Sequence, residues 1–157
     1  MELTHINAEG RAHMVEVGEK LPSRRMARAR AVIWMQPTTF IAVRDGTVTK
    51  GDVLAVAQVA GIMAAKRTPQ LIPLCHPLML SQVDLSFRFE EKDSSLHIES
   101  LVKCIAPTGV EMEALTAVSV AALTVYDMVK AADRWIRIGD IELMEKDGGK
   151  SGHLLRE

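Results

Sequence analysis

An α+β fold of order βαββαβ, one antiparallel sheet with helices on one face, is what this sequence predicts. Three features carry the expectation. Two alternating stretches separated by a short polar turn fill residues 82–104. A helical pattern lies on each side of that hairpin, at residues 53–67 and 108–130. Outside each helix stands a further strand pattern, at residues 26–35 and 135–144. Such an order is the split βαβ, or ferredoxin-like, arrangement.

Taken in order, residues 1–22 are polar and end in Leu21-Pro22, which predicts an N-terminal arm that needs a surface to order it. Residues 26–35 alternate as a strand with Arg28 and Arg30 on one face. A short helix follows at residues 37–44, closed by the turn pair Asp45-Gly46. Thr49 and Asp52 have capping-box spacing. Val53, Val56, Ala60 and Met63 then mark a helix running to Lys66-Arg67, with Pro69 as its stop signal. Pro73 and Pro77 keep residues 71–80 extended. Val83, Leu85, Phe87 and Phe89 alternate with polar residues; after the turn, Leu96, Ile98, Ser100, Val102 and Cys104 do the same.

The central helix, residues 108–130, opens on a second capping-box pair, Thr108 and Glu111. Its core stripe is Leu115, Val118, Ala122, Val125 and Val129, and no charge occurs from Ala114 to Tyr126. Residues 135–144 supply the last strand, and residues 147–157, around Gly148-Gly-Lys-Ser-Gly152, should be a flexible tail. No domain boundary is evident, so residues 1–157 form one domain.

Charge at the two ends of the central helix has a geometric consequence. Glu113 and Asp127 are fourteen residues apart, about 21 Å along a helix axis and within roughly 40° of the same face. One small-molecule site could hardly use both ends. If both ends work, a subunit related by a two-fold axis must bring its far end alongside.

Composition excludes several classes. The net charge of -1 gives no electrostatic case for nucleic-acid binding, and aromatics make up only 4%, with no stacking motif on a strand. Cys75 and Cys104 are too few for a disulfide framework, which suits a reduced cytoplasmic setting. The first residues carry Glu2, His5, Glu9 and Arg11 instead of an apolar leader. No apolar run reads as a membrane span, since Thr116, Ser119 and Thr124 interrupt the central helix.

Several residues invite chemistry, each beside a plainer explanation. Asp127 and Lys130, at i and i+3, form either a surface ion pair or an acid/base pair whose basicity is set by the carboxylate and by burial. Glu111 serves as a cap, whereas Glu113 is a second acid that capping does not require. His76, in Leu74-Cys-His-Pro77, is held by two prolines, so it either positions a substrate edge or is a structural histidine. Together with Cys75, Cys104 and His97 it lacks metal-ligand spacing, and no metal is expected. Lys50 opposes the dipole at a helix N-terminus, which is also a natural anion site. Lys66 and Arg67 suit a helix C-terminus without any function. Gly149-Lys-Ser151 is no phosphate loop of the Walker type, because the required earlier glycine is Met144 and no helix follows. As a mobile segment carrying Lys146 and Lys150 it could still fold over phosphates.

Long motifs then carry a resemblance. Lys50-Gly-Asp52, Ala60-Gly-Ile-Met-Ala-Ala-Lys-Arg-Thr68, Leu71-Ile-Pro-Leu-Cys-His-Pro-Leu78, Thr108-Gly-Val-Glu-Met-Glu-Ala-Leu-Thr116, Tyr126-Asp-Met-Val-Lys130 and Gly148-Gly-Lys-Ser-Gly152 resemble the cyclic pyranopterin monophosphate synthase (MoaC) family over residues 14–152. Val129 departs from it, standing where many relatives would carry cysteine. The resemblance implies a step of molybdenum cofactor biosynthesis, in which a cyclised dihydroguanosine triphosphate becomes the pyranopterin, a cyclic phosphate forms and diphosphate leaves. It implies Asp127, Lys130, Lys50 and His76 as catalytic residues. As substrate contacts it implies Leu74, Cys75, His76, Met112, Glu113, Glu111, Arg25, Lys66, Lys146 and Lys150. No resident cofactor is implied, and whether Mg²⁺ accompanies the triphosphate stays open. It also implies homohexamers, trimers of dimers with sites between subunits. The rival from another class is a non-catalytic ferredoxin-like module that senses a nucleotide.

Overall fold

A computed structural model describes residues 5–157; the first four residues of the expected arm lie outside them. The elements run β1 (Ser23–Trp34), α1 (Pro37–Arg44), α2 (Val53–Lys66), α3 (Thr68–Leu71), β2 (Leu80–Glu90), β3 (Ser95–Ala106), α4 (Glu111–Val129), β4 (Arg137–Asp147) and β5 (Leu154–Leu155). They build one antiparallel sheet of order β2-β3-β1-β4-β5. The first four strands reproduce the ferredoxin-like order expected from the sequence.

Alternation decides which face of the sheet is covered. Ala27, Ala29, Ala31 and Ile33 of β1 are fully buried with Leu96, Ile98 and Val102 of β3. Their small central alanines let α4 lie close across β1, β3 and β4. From the helix side come Ala114, Ala117, Val118, Ala121, Ala122 and Val125, all without solvent exposure. The opposite sheet face carries Arg28, Arg30 and Glu99, so the sheet is apolar on one side only.

The helix α2 packs on α4 through its small residues. Val56, Val59 and Met63 are exposed, whereas Val53, Ala57, Gly61, Ala64 and Ala65 are buried. An almost wholly apolar helix gives no clear periodicity, and size decides instead: the small residues face α4 because only they permit close approach. At Gly61 an added Cβ would lie 2.6 Å from Leu85 Cδ2 and 3.0 Å from the Ala117 carbonyl oxygen.

Both capping boxes fail. Asp52, not Thr49, caps α2, its carboxylate accepting from the Ala55 amide at 3.0 Å. The central helix starts at Glu111 behind an uncapped Val110, and the Glu111 carboxylate takes Lys146 as its partner. Nor does Pro69 simply stop a helix; it opens the single turn α3, where its missing N–H is no loss. The end of the expected flexible tail returns as β5, pairing with Glu145 and Lys146. Contrary to expectation, α4 is long and apolar enough to span a bilayer, but it is the core helix, with over half its length buried inside the protein.

Overpacking at the α2–α4 contact should be severe. Gly61→Val is expected to lower unfolding free energy by about 2 kcal/mol, read as a shifted urea midpoint at constant slope.

Candidate active site

Two groups of polar side chains are held at opposite ends of α4. At the N-terminal end, the extended segment after α3 runs past the first turn of the helix. Leu74, Cys75 and His76 there meet Thr108, Gly109, Glu111, Met112 and Glu113 around a cavity of about 410 Å³. His5, Val15, Val17 and Lys20 of the N-terminal arm complete its wall. The arm is tied down by His76, whose Nε2 lies 2.8 Å from the Val15 carbonyl oxygen. A carbonyl can only accept, so Nε2–H donates, and Nδ1 of a neutral ring is left as an acceptor.

Glu113 is the unusual group in this cavity. It is 3% exposed, and among the described residues no cation pairs with it. Burial pushes its carboxyl above the ordinary value of 4.5, and the neighbouring Glu111 pushes in the same direction. Burial also raises the thiols of Cys75 and Cys104, with Glu113 adding to both. Neither cysteine is therefore set up as a thiolate nucleophile. Glu111 differs from Glu113 in being neutralised by Lys146.

Beside this cavity is a wider groove of about 800 Å³ between the arm and the glycine segment, with Lys20 common to both. Arg25, Lys150, Gly149 and Ser23 line it together with Glu16 and Glu19. Arg25 Nε and Nη2 donate to the Ala106 and Pro107 carbonyls at 3.2 and 3.1 Å, which fixes the guanidinium at the start of β1.

At the other end of α4, Asp127 stands between two lysines. Lys130 Nζ lies 2.6 Å from Asp127 Oδ1, and Lys50 Nζ donates to the Asp127 carbonyl oxygen at 2.7 Å. Lys50 is thus drawn to the C-terminal end of α4, where the dipole favours cations, rather than to the N-terminus of α2. The hydrogen bond from Lys130 holds the Asp127 carboxyl below its usual range, and Asp127 in turn raises Lys130. The carboxylate therefore sets the basicity of Lys130, as the sequence suggested. Burial does not, because Lys130 and Asp127 have side chains 50% and 62% exposed.

The structure brings His76, Cys75, Leu74, Met112, Glu111 and Glu113 together, places Arg25, Lys146 and Lys150 nearby, and gathers Asp127, Lys130 and Lys50 elsewhere. Lys66, exposed at the end of α2, lines neither the cavity nor the groove. Sequence reasoning missed the arm's share of the cavity. The available signal was Val15 and Val17, alternating apolar residues in an otherwise polar segment.

Residues 14–149 match the model of the MoaC family. Curated relatives named cyclic pyranopterin monophosphate synthase include that of Syntrophomonas wolfei, 60% identical over 157 residues and the full length of both chains. That of Heliobacterium modesticaldum is 61% identical over 99% of this chain and 98% of its own. The protein of Thermomicrobium roseum is 58% identical over 99% and 94%.

The raised Glu113 carboxyl has a stability signature. Its favourable contribution is fully present below the unfolded value and lost as pH rises through the folded one. Glu113→Gln should therefore gain stability relative to wild type as pH climbs above about 4.5, with no such gain below it; paired thermal melts across pH measure this.

Proposed function

The chain belongs to the MoaC family, and from that membership we propose that it converts (8S)-3′,8-cyclo-7,8-dihydroguanosine 5′-triphosphate to cyclic pyranopterin monophosphate, releasing diphosphate, in molybdenum cofactor biosynthesis. The observation that carries the proposal, beyond kinship, is the joining of an acid-lined cavity to a cation-lined groove. A ring with N–H donors and a triphosphate needs that pairing of surfaces.

On this reading the buried Glu113 accepts from the donor-rich edge of the ring system. A charge-assisted hydrogen bond there would return the carboxyl toward its ionised form and release the strain of an unpaired buried acid. His76, with its Nε2–H committed to Val15, offers Nδ1 as an acceptor or, once protonated, as a second donor. Arg25, Lys146 and Lys150 hold the phosphates, and their charge stabilises the departing diphosphate. The phosphates must compete with Glu111 for Lys146, so binding exchanges one charge pair for another. Lys66 adds a further cation by family resemblance.

Asp127, Lys130 and Lys50 carry the acid/base work by the same resemblance. Asp127 raises Lys130 and so holds it in its charged form, and Lys50 offsets the charge that a proton leaving Lys130 would expose on Asp127. The continuous helix keeps this cluster about 21 Å from Glu113. A single site therefore takes its acid-lined cavity from one subunit and its lysine cluster from another. We read the protein as a cytoplasmic homo-oligomer on this basis, a trimer of dimers by family resemblance.

Two substitutions separate these ideas. Lys130→Ala should bind the triphosphate substrate yet lose about 10²–10⁴-fold in turnover. Mixing Lys130→Ala with Glu113→Ala under subunit exchange should restore part of the pyranopterin formation, because some sites receive both intact ends. No recovery despite exchange confirmed by mass would confine each site to one chain.

A further inference from the structure

Beyond the residues discussed above, the strand β5 has no role, yet it is held by more than its length requires. Two paired residues make a marginal strand. Three further contacts secure it. His153 Nε2 lies 2.8 Å from Glu145 Oε1, Arg156 Nη2 donates to Glu142 Oε1 at 3.0 Å, and the Arg156 amide donates to the Met144 carbonyl at 2.8 Å.

A β-bulge makes these contacts available. Arg28 is opposite Glu145 and Ala29 is opposite Leu143, so Met144 is passed over in the pairing with β1. In a regular strand Glu142 and Glu145, three residues apart, would point to opposite faces. The extra residue brings both acids to the open face beside Arg30 and Arg28. It also leaves the Met144 carbonyl for Arg156. The attachment points of β5 are thus tied to β1, the central strand.

Between this anchored end and β4 lies the segment 148–152, which carries Lys150. Gly148, Gly149 and Gly152 all have positive φ, at 102°, 73° and 62°. A Cβ on Gly148 would strike the Arg24 carbonyl oxygen, and one on Gly149 the Arg25 guanidinium. Glycine allows this path but also makes its ordering entropically costly. Something beyond the segment must hold it against Arg25.

We propose that β5 is a clasp that holds Lys150 beside Arg25 in the cation-lined groove, with His153 and Arg156 as positioning residues for the substrate's phosphates. The inference rests on the reading that Lys150 binds those phosphates. Each side-chain contact is at the surface and weak alone, so both must be removed together.

The test uses the full chain carrying His153→Ala with Arg156→Ala, with inorganic tripolyphosphate as probe in calorimetry. If the loosened segment is competent a tenth of the time, tripolyphosphate should bind about tenfold more weakly. The KM for the nucleotide should rise while kcat stays within about twofold. Thermal stability should stay unchanged, amide exchange across residues 149–152 should quicken, and His153→Gln with Arg156→Lys should recover most of the affinity. Wild-type affinity in the double alanine variant, with Lys150→Ala binding more weakly, would overturn the clasp alone. No weakening in Lys150→Ala would instead overturn the phosphate role of Lys150, and the clasp with it.

Discussion

Everything chemical in this protein is arranged around the close burial of α4. The helix touches β1 through alanines and α2 through Ala57, Gly61 and Ala64, so its two packed faces leave little room for larger side chains. A stretch packed so tightly on both sides cannot carry a charge without a large desolvation penalty. Polar groups are therefore confined to the two ends of the helix. The fold holds them rigidly apart, and it is this rigidity that turns one helix into two half-sites on our reading.

The two ends differ in electrostatic character. At the N-terminal end the dipole favours anions, yet Glu113 is buried without a cation among the described residues and its proton affinity rises. That is an acceptor kept short of donors, a state a ligand with N–H groups relieves. At the C-terminal end Asp127 is exposed and flanked by two lysines, so it is already satisfied. Little is gained there by binding neutral donors, whereas an anionic or proton-accepting group finds a surplus of positive charge. On the proposed reading, the difference in burial, more than the identity of the residues, suits the ends to different tasks: recognition at Glu113 and proton transfer at Lys130.

Much of the topology was legible in the sequence, because strand alternation in β1, β2 and β3 and the uncharged run of α4 are strong, long-range patterns. What failed was local. Thr49 and Thr108 have the right residue types for caps, but the caps fall three residues later in α2 and two later in α4, since α2 takes the aspartate as its cap and Glu111 is claimed by Lys146 from β4. A cap competes with any tertiary partner, and the sequence does not show the partner. The buried face of α2 was not legible for a related reason: when nearly every residue is apolar, close packing selects the small ones, and hydrophobicity alone does not point to them. At the candidate site, the motif residues around His76 and Glu113 were legible as separate signals. Their meeting with Val15 and Lys20 of the arm was not, because a polar segment with few apolar residues gives no register.

The bulge at Met144 shows how a small irregularity links sheet and site. Without it Glu142 and Glu145 could not both face Arg30 and Arg28, and one acid would lie on the side covered by α4 as a buried, unpaired charge. With it, the open face of the sheet gains two acids that each take a second partner from the chain's end, Arg156 on Glu142 and His153 on Glu145. The glycine path of residues 148–152 then connects two fixed points, β4 on one side and β5 on the other. A segment held at both ends samples far fewer conformations than one held at a single end. Lys150 is presented from such a segment, whereas Lys146 is presented from the strand itself and neutralised by Glu111. The groove therefore draws its charge from Lys20, Arg25 and Lys150, while Lys146 stays paired with Glu111 outside its lining.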